Sequence, residues 1–129
     1  MKRKLLSSGS PYEDIGAFSR AVRVGPYIMI GGTAPLDANG NTVGIGDLAV
    51  QTRQCLETIK LALEKAGSSL DDVVRTRMLL INIADWKIAA DVRASYFKNI
   101  KPVDTIMQVS GFINPDWLIE IEVDAILDE

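Results

Sequence analysis

Residues 119–126 restrict the fold more than any other segment, because they alternate strictly between apolar and acidic side chains until the final pair. The segment runs Ile-Glu-Ile-Glu-Val-Asp-Ala-Ile. Successive side chains of a strand point to opposite faces of a sheet, so this pattern predicts a strand with one apolar and one acidic face. An acidic strand face usually lies in water, which is our interpretation of Glu122 and Asp124.

The rest of the chain predicts a mixture of strands and helices. Residues 102–109 predict a strand joined to the last one by a turn at Asn114-Pro115-Asp116. Before this pair, three strands, a helix, a strand and a second helix are predicted at residues 3–8, 18–24, 27–33, 47–66, 73–82 and about 85–99. Asp47 and Gly67 have the residue types that begin and end a helix. This order predicts an α+β fold, a mixed sheet with two helices on one face.

Size and composition limit the kind of protein. The 129 residues predict a single domain, residues 1–129, with 47% hydrophobic but only 6% aromatic residues and therefore an aliphatic core. The absence of histidine excludes histidine-based catalytic triads and histidine metal sites, so we expect no metal. Cys55 cannot form an internal disulfide, and its place on the apolar stripe of the predicted helix favours a buried side chain over a reactive thiol.

Charge and hydropathy restrict the partners. The net charge is −3 and the basic residues are dispersed, which argues against a nucleic-acid partner. The chain has no run of about 18 apolar residues, so we expect no membrane span. The basic N-terminus is not followed by the apolar stretch of a signal peptide, so we expect a cytoplasmic protein.

Five segments, in order, resemble motifs of the RidA family, also called YjgF or UK114. Residues 15–22 resemble its I-G-P-Y-S-x-A-V opening, residues 31–35 its S-G-Q-x-P segment, residues 51–59 its Q-x-x-Q-x-x-x-N-I helix, residues 66–74 its A-G-x-x-x-x-D-V-V segment, and residues 119–122 its I-E-I-E run. The resemblance implies a chorismate-mutase-like α+β fold and a homotrimer that binds small metabolites in clefts between subunits. It also implies hydrolysis of reactive enamines and imines to 2-oxo acids and ammonia without a metal or cofactor.

The same resemblance implies the site residues. In the family the first Glu of the I-E-I-E run positions a water, which makes Glu120 the catalytic residue. Substrate contacts are implied for Phe18, Gly32, Asp104 and Ile106. Phe18 lacks the hydroxyl of the family's Tyr, and Asp104 stands where the family has a carboxylate-binding arginine. Because Asp104 would repel a carboxylate, by several kcal/mol in a partly dry cleft, we expect poor turnover of imines with a free α-carboxylate.

Given the position that the resemblance implies for Asp104, three hypotheses remain open for its role. Asp104 either lies in solvent or pairs with a basic residue such as Arg77 or Arg20. Alternatively, it holds the amine of a neutral or cationic ligand. In the third hypothesis Asp104 approaches Glu120, so that one carboxyl acts as an acid and the other as a base.

Three functions follow in order of preference. The first is a cofactor-independent hydrolase, a deaminase of small enamines, imines or related reactive metabolites. The second is a non-catalytic trimer that binds a metabolite or has a regulatory role. The last is an endoribonuclease or translation inhibitor, which the acidic net charge and the missing histidines disfavour.

Overall fold

The computed structural model of the chain describes residues 2–128, which form one six-stranded sheet covered by helices on one face. The elements in chain order are β1 (Arg3–Leu6), α1 (Tyr12–Gly16), β2 (Ala21–Val24), β3 (Tyr27–Thr33), α2 (Leu48–Lys65), β4 (Val73–Leu80), α3 (Trp86–Phe97), β5 (Val103–Gln108) and β6 (Ile119–Ile126). The α+β fold with two main helices and a mixed sheet is therefore confirmed. No helix within the described part of the chain is long and apolar enough to cross a bilayer.

The last strand lies in the middle of the sheet. The strand order is β1-β2-β3-β6-β4-β5, and all neighbours are antiparallel except β4 and β5, which are parallel. The apolar side of β6 contributes Ile119, Ile121 and Val123 to the core, where all three are fully buried. The predicted alternation is thus confirmed, because β6 is covered by helices on one face only.

Helix α2 covers this core. The Asp47 side chain accepts a hydrogen bond from the Val50 N–H at 3.1 Å, and Gly67 follows the helix with a φ of +85°, so both predicted end signals are confirmed. Cys55 is fully buried, as its place on the apolar stripe predicts, and burial raises the pKa of its thiol. The thiol is therefore protonated and unreactive at neutral pH.

Two local features of the structure are not among the predictions. β5 and β6 are joined by the predicted turn region but are not neighbours, because β4 lies between them. A turn signal indicates that the chain reverses, whereas strand pairing depends on which edge the returning chain meets. The short helix α1 has no counterpart among the predicted elements. Its five residues are too few to show a helical period, and it ends at Ala17 with a φ of 56°.

The buried side chain of Gln51 joins α2 to the segment that leads into β6. Its Nε2 donates to the carbonyls of Asp116 at 2.9 Å and Gly44 at 3.2 Å, and its Oε1 accepts from the Leu118 N–H at 2.8 Å. The side chain is fully buried. One amide therefore satisfies three backbone groups, two of them next to the start of the central strand.

We expect Gln51→Leu to lower the free energy of unfolding by about 2–4 kcal/mol, because each unpaired buried group costs about 1–3 kcal/mol. The midpoint of urea unfolding, compared at equal protein concentration, measures this loss. Lys60→Leu places the same side chain at an exposed position of α2 and should change stability by less than about 0.5 kcal/mol. Equal midpoints for the two variants would contradict a stabilising role for the Gln51 amide.

Candidate functional site

A cavity of about 230 Å³ lies where the end of β3, the start of β6, the segment after β1 and one side of α2 meet. Its walls include Phe18, Arg20, Gly32, Ile113, Trp117 and Glu120. Trp117 is buried, packs edge-on against Tyr12 at 5.5 Å between ring centroids, and donates from Nε1 to Thr42 Oγ1. This part of the wall is therefore held by packing and a hydrogen bond.

Glu120 lies on the face of β6 opposite the helices, because its neighbours Ile119 and Ile121 both point into the core. Burial raises the pKa of the half-buried Glu120 carboxyl, the positive charge of Arg20 lowers it, and the negative charge of Glu122 raises it, with a net upward shift. A carboxyl with a raised pKa can exchange protons closer to neutral pH than an exposed one. This is the property needed in a general acid or base.

Gly32 makes room for the Glu120 carboxyl. The pairing of β3 with β6 is irregular between Ile30 and Thr33, which places Gly32 in the irregularity. A Cβ at position 32 would lie only 2.6 Å from Glu120 Oε1. The family resemblance implies a substrate contact for Gly32, and the structure adds that the glycine is needed for the present position of Glu120.

Arg20 is a cavity residue whose place in the site the sequence did not indicate. Its side chain is only 5% exposed, and its Nη2 donates to the Gly32 carbonyl at 2.6 Å. Burial lowers the pKa of Arg20 while the charges of Glu13 and Glu120 raise it; the net shift is downward. An arginine remains protonated despite such a shift, so the cavity contains a permanent positive charge.

The Arg20 guanidinium has an aromatic neighbour, Phe18, and is affected by the charge of Glu13. The Phe18 ring lies 5.8 Å from Arg20 Cζ, within the range of a cation–π contact. Burial raises the pKa of Glu13, but hydrogen bonds from Ser7 and Ser8 and the charge of Arg20 outweigh this, so the pKa is lowered overall. Glu13 is therefore ionised at neutral pH and adds a negative charge to the surroundings of Arg20.

Asp104 and Ile106 lie outside this cavity within one subunit. Asp104 accepts a hydrogen bond from Thr76 Oγ1 at 2.8 Å and lies 3.5 Å from Arg93 Nε of α3. It therefore points to the helix face, whereas Glu120 points to the opposite face. The structure agrees with the hypothesis of a basic partner, but that partner is Arg93 rather than Arg77 or Arg20. The substrate contacts implied for Asp104 and Ile106 remain predictions.

Ile106 alternates with exposed neighbours on β5 and packs against the core. Phe18, Gly32 and Glu120 are thus the predicted site residues that the structure brings together. Arg20 was missed because it occupies the variable position of the I-G-P-Y-S-x-A-V motif. The sequence signal that could have identified Arg20 as a site residue is its charge directly before Ala21, which belongs to the core.

The chain matches the sequence profile described as Endoribonuclease L-PSP over residues 9–127. It is also similar, with 40% identity and a TM-score of 0.89, to a solved member of the YjgF/YER057c/UK114 family from Mycobacterium tuberculosis, covering 98% of this chain and 100% of that one. The chain belongs to the RidA/YjgF family. The family resemblance of the sequence motifs is thereby confirmed.

Two further relatives of the RidA/YjgF family have names that bear on function. A RutC family protein of Pyrococcus horikoshii is 38% identical over 125 residues, covering 97% of this chain and 98% of its own. The protein named 3-aminoacrylate deaminase RutC of Acinetobacter baylyi is 38% identical over 120 residues, covering 93% and 94%. The YjgF gene product of E. coli has the same fold, with a TM-score of 0.83 at 26% identity and 95% and 98% coverage.

Gly32→Ala should leave the protein folded but displace the Glu120 carboxyl, because the Cβ would meet the end of a flexible side chain rather than backbone. A crystal structure of the variant should show Glu120 in another rotamer, and its thermal midpoint should fall by no more than a few degrees. Gly111→Ala is the matched control, since a Cβ there meets nothing within 4 Å. An unmoved Glu120 in the Gly32 variant would contradict the steric argument.

Proposed function

We propose that the protein hydrolyses small enamines or imines in this cavity, with Glu120 positioning water and transferring protons. The observation that supports this most directly is the half-buried Glu120 carboxyl, whose pKa is raised, in a cavity with the cationic Arg20. The similarity to a protein named 3-aminoacrylate deaminase adds support, since 3-aminoacrylate is a small enamine. No metal or cofactor takes part in the proposed reaction.

The proposed reaction needs one group that can act first as an acid and then as a base. Taking 3-aminoacrylate as the example, Glu120 donates a proton to the carbon next to the carboxylate, which converts the enamine into an iminium ion. The resulting Glu120 carboxylate accepts a proton from water as the water oxygen bonds to the iminium carbon. Glu120 then gives the proton taken from water to the nitrogen, the carbon–nitrogen bond breaks as ammonia leaves, and the hydroxyl proton returns to Glu120 as the aldehyde forms. One water is consumed for each ammonia released.

The location of Asp104 bears on which substrates we propose. The expected repulsion of carboxylates depends on Asp104 facing the substrate, but within one subunit its carboxyl neighbours Arg93 and points to the helix face. We therefore keep carboxylate-bearing enamines among the proposed substrates. Asp104 would affect them only if an adjacent subunit brought it to the cleft.

We also propose that the protein is a homotrimer with clefts between subunits. The sheet face away from the helices has exposed apolar side chains at Tyr27, Met29, Val103 and Met107. They lie on β3 and β5, on either side of the charged side chains of β6 and β4, and exposed apolar side chains on an uncovered sheet face favour association. On the same face, Arg75 and Arg77 are paired with acids of β6, so these two arginines do not form an unpaired basic stripe of the kind that binds RNA.

Glu120→Gln should reduce kcat for enamine hydrolysis by about 10²–10⁴-fold, the usual contribution of a general acid–base group. Ammonia release above the spontaneous rate measures this, on a panel of carboxylate-bearing, uncharged and amine-bearing enamines and imines. Glu64→Gln, an exposed change on α2, is the matched control and should retain full activity. Saturable ligand binding without turnover of any panel member would instead favour the non-catalytic function.

The pH profile tests the same assignment. Because the pKa of Glu120 lies above the ordinary value of 4.5, the carboxylate that activates water is lost at less acidic pH than in an exposed Glu. For an imine that binds already protonated, and so needs no initial proton from Glu120, kcat of the wild type should rise with pH through this raised pKa and then level off when water attack limits the rate. The residual activity of Glu120→Gln should lack this rise. An identical profile in both proteins would exclude Glu120 as the titrating base.

A further inference from the structure

Arg20 is a buried arginine whose hydrogen-bonding capacity is incompletely used. Its Nη2 donates to the Gly32 carbonyl, but Nε is buried and has no partner among residues 2–128. None of the ion pairs between described residues includes Arg20. A buried donor without an acceptor is destabilising, and a buried charge normally has a close partner.

The neighbouring acids neutralise Arg20 only in part. The charges of Glu13 and Glu120 both act on Arg20, yet neither carboxylate forms an ion pair with it. Glu13 directs its Oε2 to the N–H and hydroxyl of Ser8 instead. The cavity wall therefore includes a guanidinium that lacks the bidentate carboxylate partner for which its planar fork is suited.

We propose that Arg20 binds the carboxylate of the substrate, so that the enzyme prefers small enamines with a free carboxylate. This proposal rests on the proposed hydrolysis in the same cavity. Arg20 would thereby perform, from the segment before β2, the task that the family resemblance assigns to an arginine at position 104. Asp104 is engaged with Thr76 and Arg93 and leaves this task open within the subunit.

The geometry around Gly32 connects the proposed anchor to the catalytic carboxyl. The Gly32 carbonyl accepts the Arg20 hydrogen bond, and the Cβ position of the same residue lies 2.6 Å from Glu120 Oε1. A substrate carboxylate at Arg20 would thus hold the adjacent carbon atoms near Glu120. The Phe18 ring lies 5.8 Å from Arg20 Cζ, and a cavity of about 230 Å³ suits a molecule of this size.

The main test compares 3-aminoacrylate with 3-aminoacrylamide, which has the same shape but no negative charge. For Arg20→Gln, kcat/KM for 3-aminoacrylate should fall by about 10- to 100-fold, the range expected from loss of a charge-assisted hydrogen bond. For 3-aminoacrylamide it should change by less than about threefold. Arg20→Lys keeps the positive charge but lacks the planar guanidinium. Its kcat/KM for 3-aminoacrylate should lie between the values for Arg20→Gln and the wild type. Arg53→Gln is the matched control at an exposed position and should behave as wild type.

Binding of unreactive ligands separates the anchor from the chemistry. Calorimetric titration of the wild type should show binding of propionate at least about tenfold tighter than of propionamide, and Arg20→Lys should reduce this ratio. If Arg20→Gln does not fold, two comparisons still test whether Arg20 binds the carboxylate. They are the preference of the wild type for the acid over the amide and the reduction of that preference in Arg20→Lys.

The outcomes separate the two proposals. Equal binding and turnover of the acid and the amide by the wild type would overturn the anchor while leaving the hydrolase intact. An equal loss for both substrates in the Arg20 variants would also overturn the anchor. Selective propionate binding with no turnover of either enamine would support the anchor and overturn the proposed hydrolysis.

Discussion

The packing of β6 against α2 is the contact on which the rest of the structure depends. β6 pairs with β3 on one side and with β4 on the other, so it connects the two halves of the sheet. Its apolar face forms much of the buried core beneath the helices. Its other face places Glu120 beside the end of β3. One strand therefore determines both the stability of the domain and the position of its candidate catalytic group.

Much of the fold could be predicted from the sequence because the relevant signals are local. The alternation of β6, the apolar stripe of α2 and the cap at Asp47 each specify an element without knowledge of the rest of the chain. Strand order is a different kind of information. The insertion of β4 between β5 and β6 depends on a parallel pairing over a long separation in sequence, and no turn residue encodes it.

Site residues that belong to a family motif could be predicted from the sequence, whereas a site residue placed by packing could not. Glu120, Gly32 and Phe18 belong to motifs and line one cavity. Arg20 occupies a variable motif position, and only the fold shows that its side chain is buried beside that cavity. For Asp104 the substitution was visible in the sequence, but its pairing with Arg93 required knowing that α3 packs over that end of the sheet.

The close approach of Gly32 to Glu120 has a consequence for how sequences of this kind can vary. Because a Cβ at position 32 would lie 2.6 Å from Glu120 Oε1, a side chain at position 32 and the present position of the Glu120 carboxyl exclude each other. A related chain with a larger residue at position 32 should compensate with a shorter acid at position 120, or lose the acid altogether. The two positions are therefore sterically coupled, and a side chain at position 32 requires the acid at position 120 to lie elsewhere.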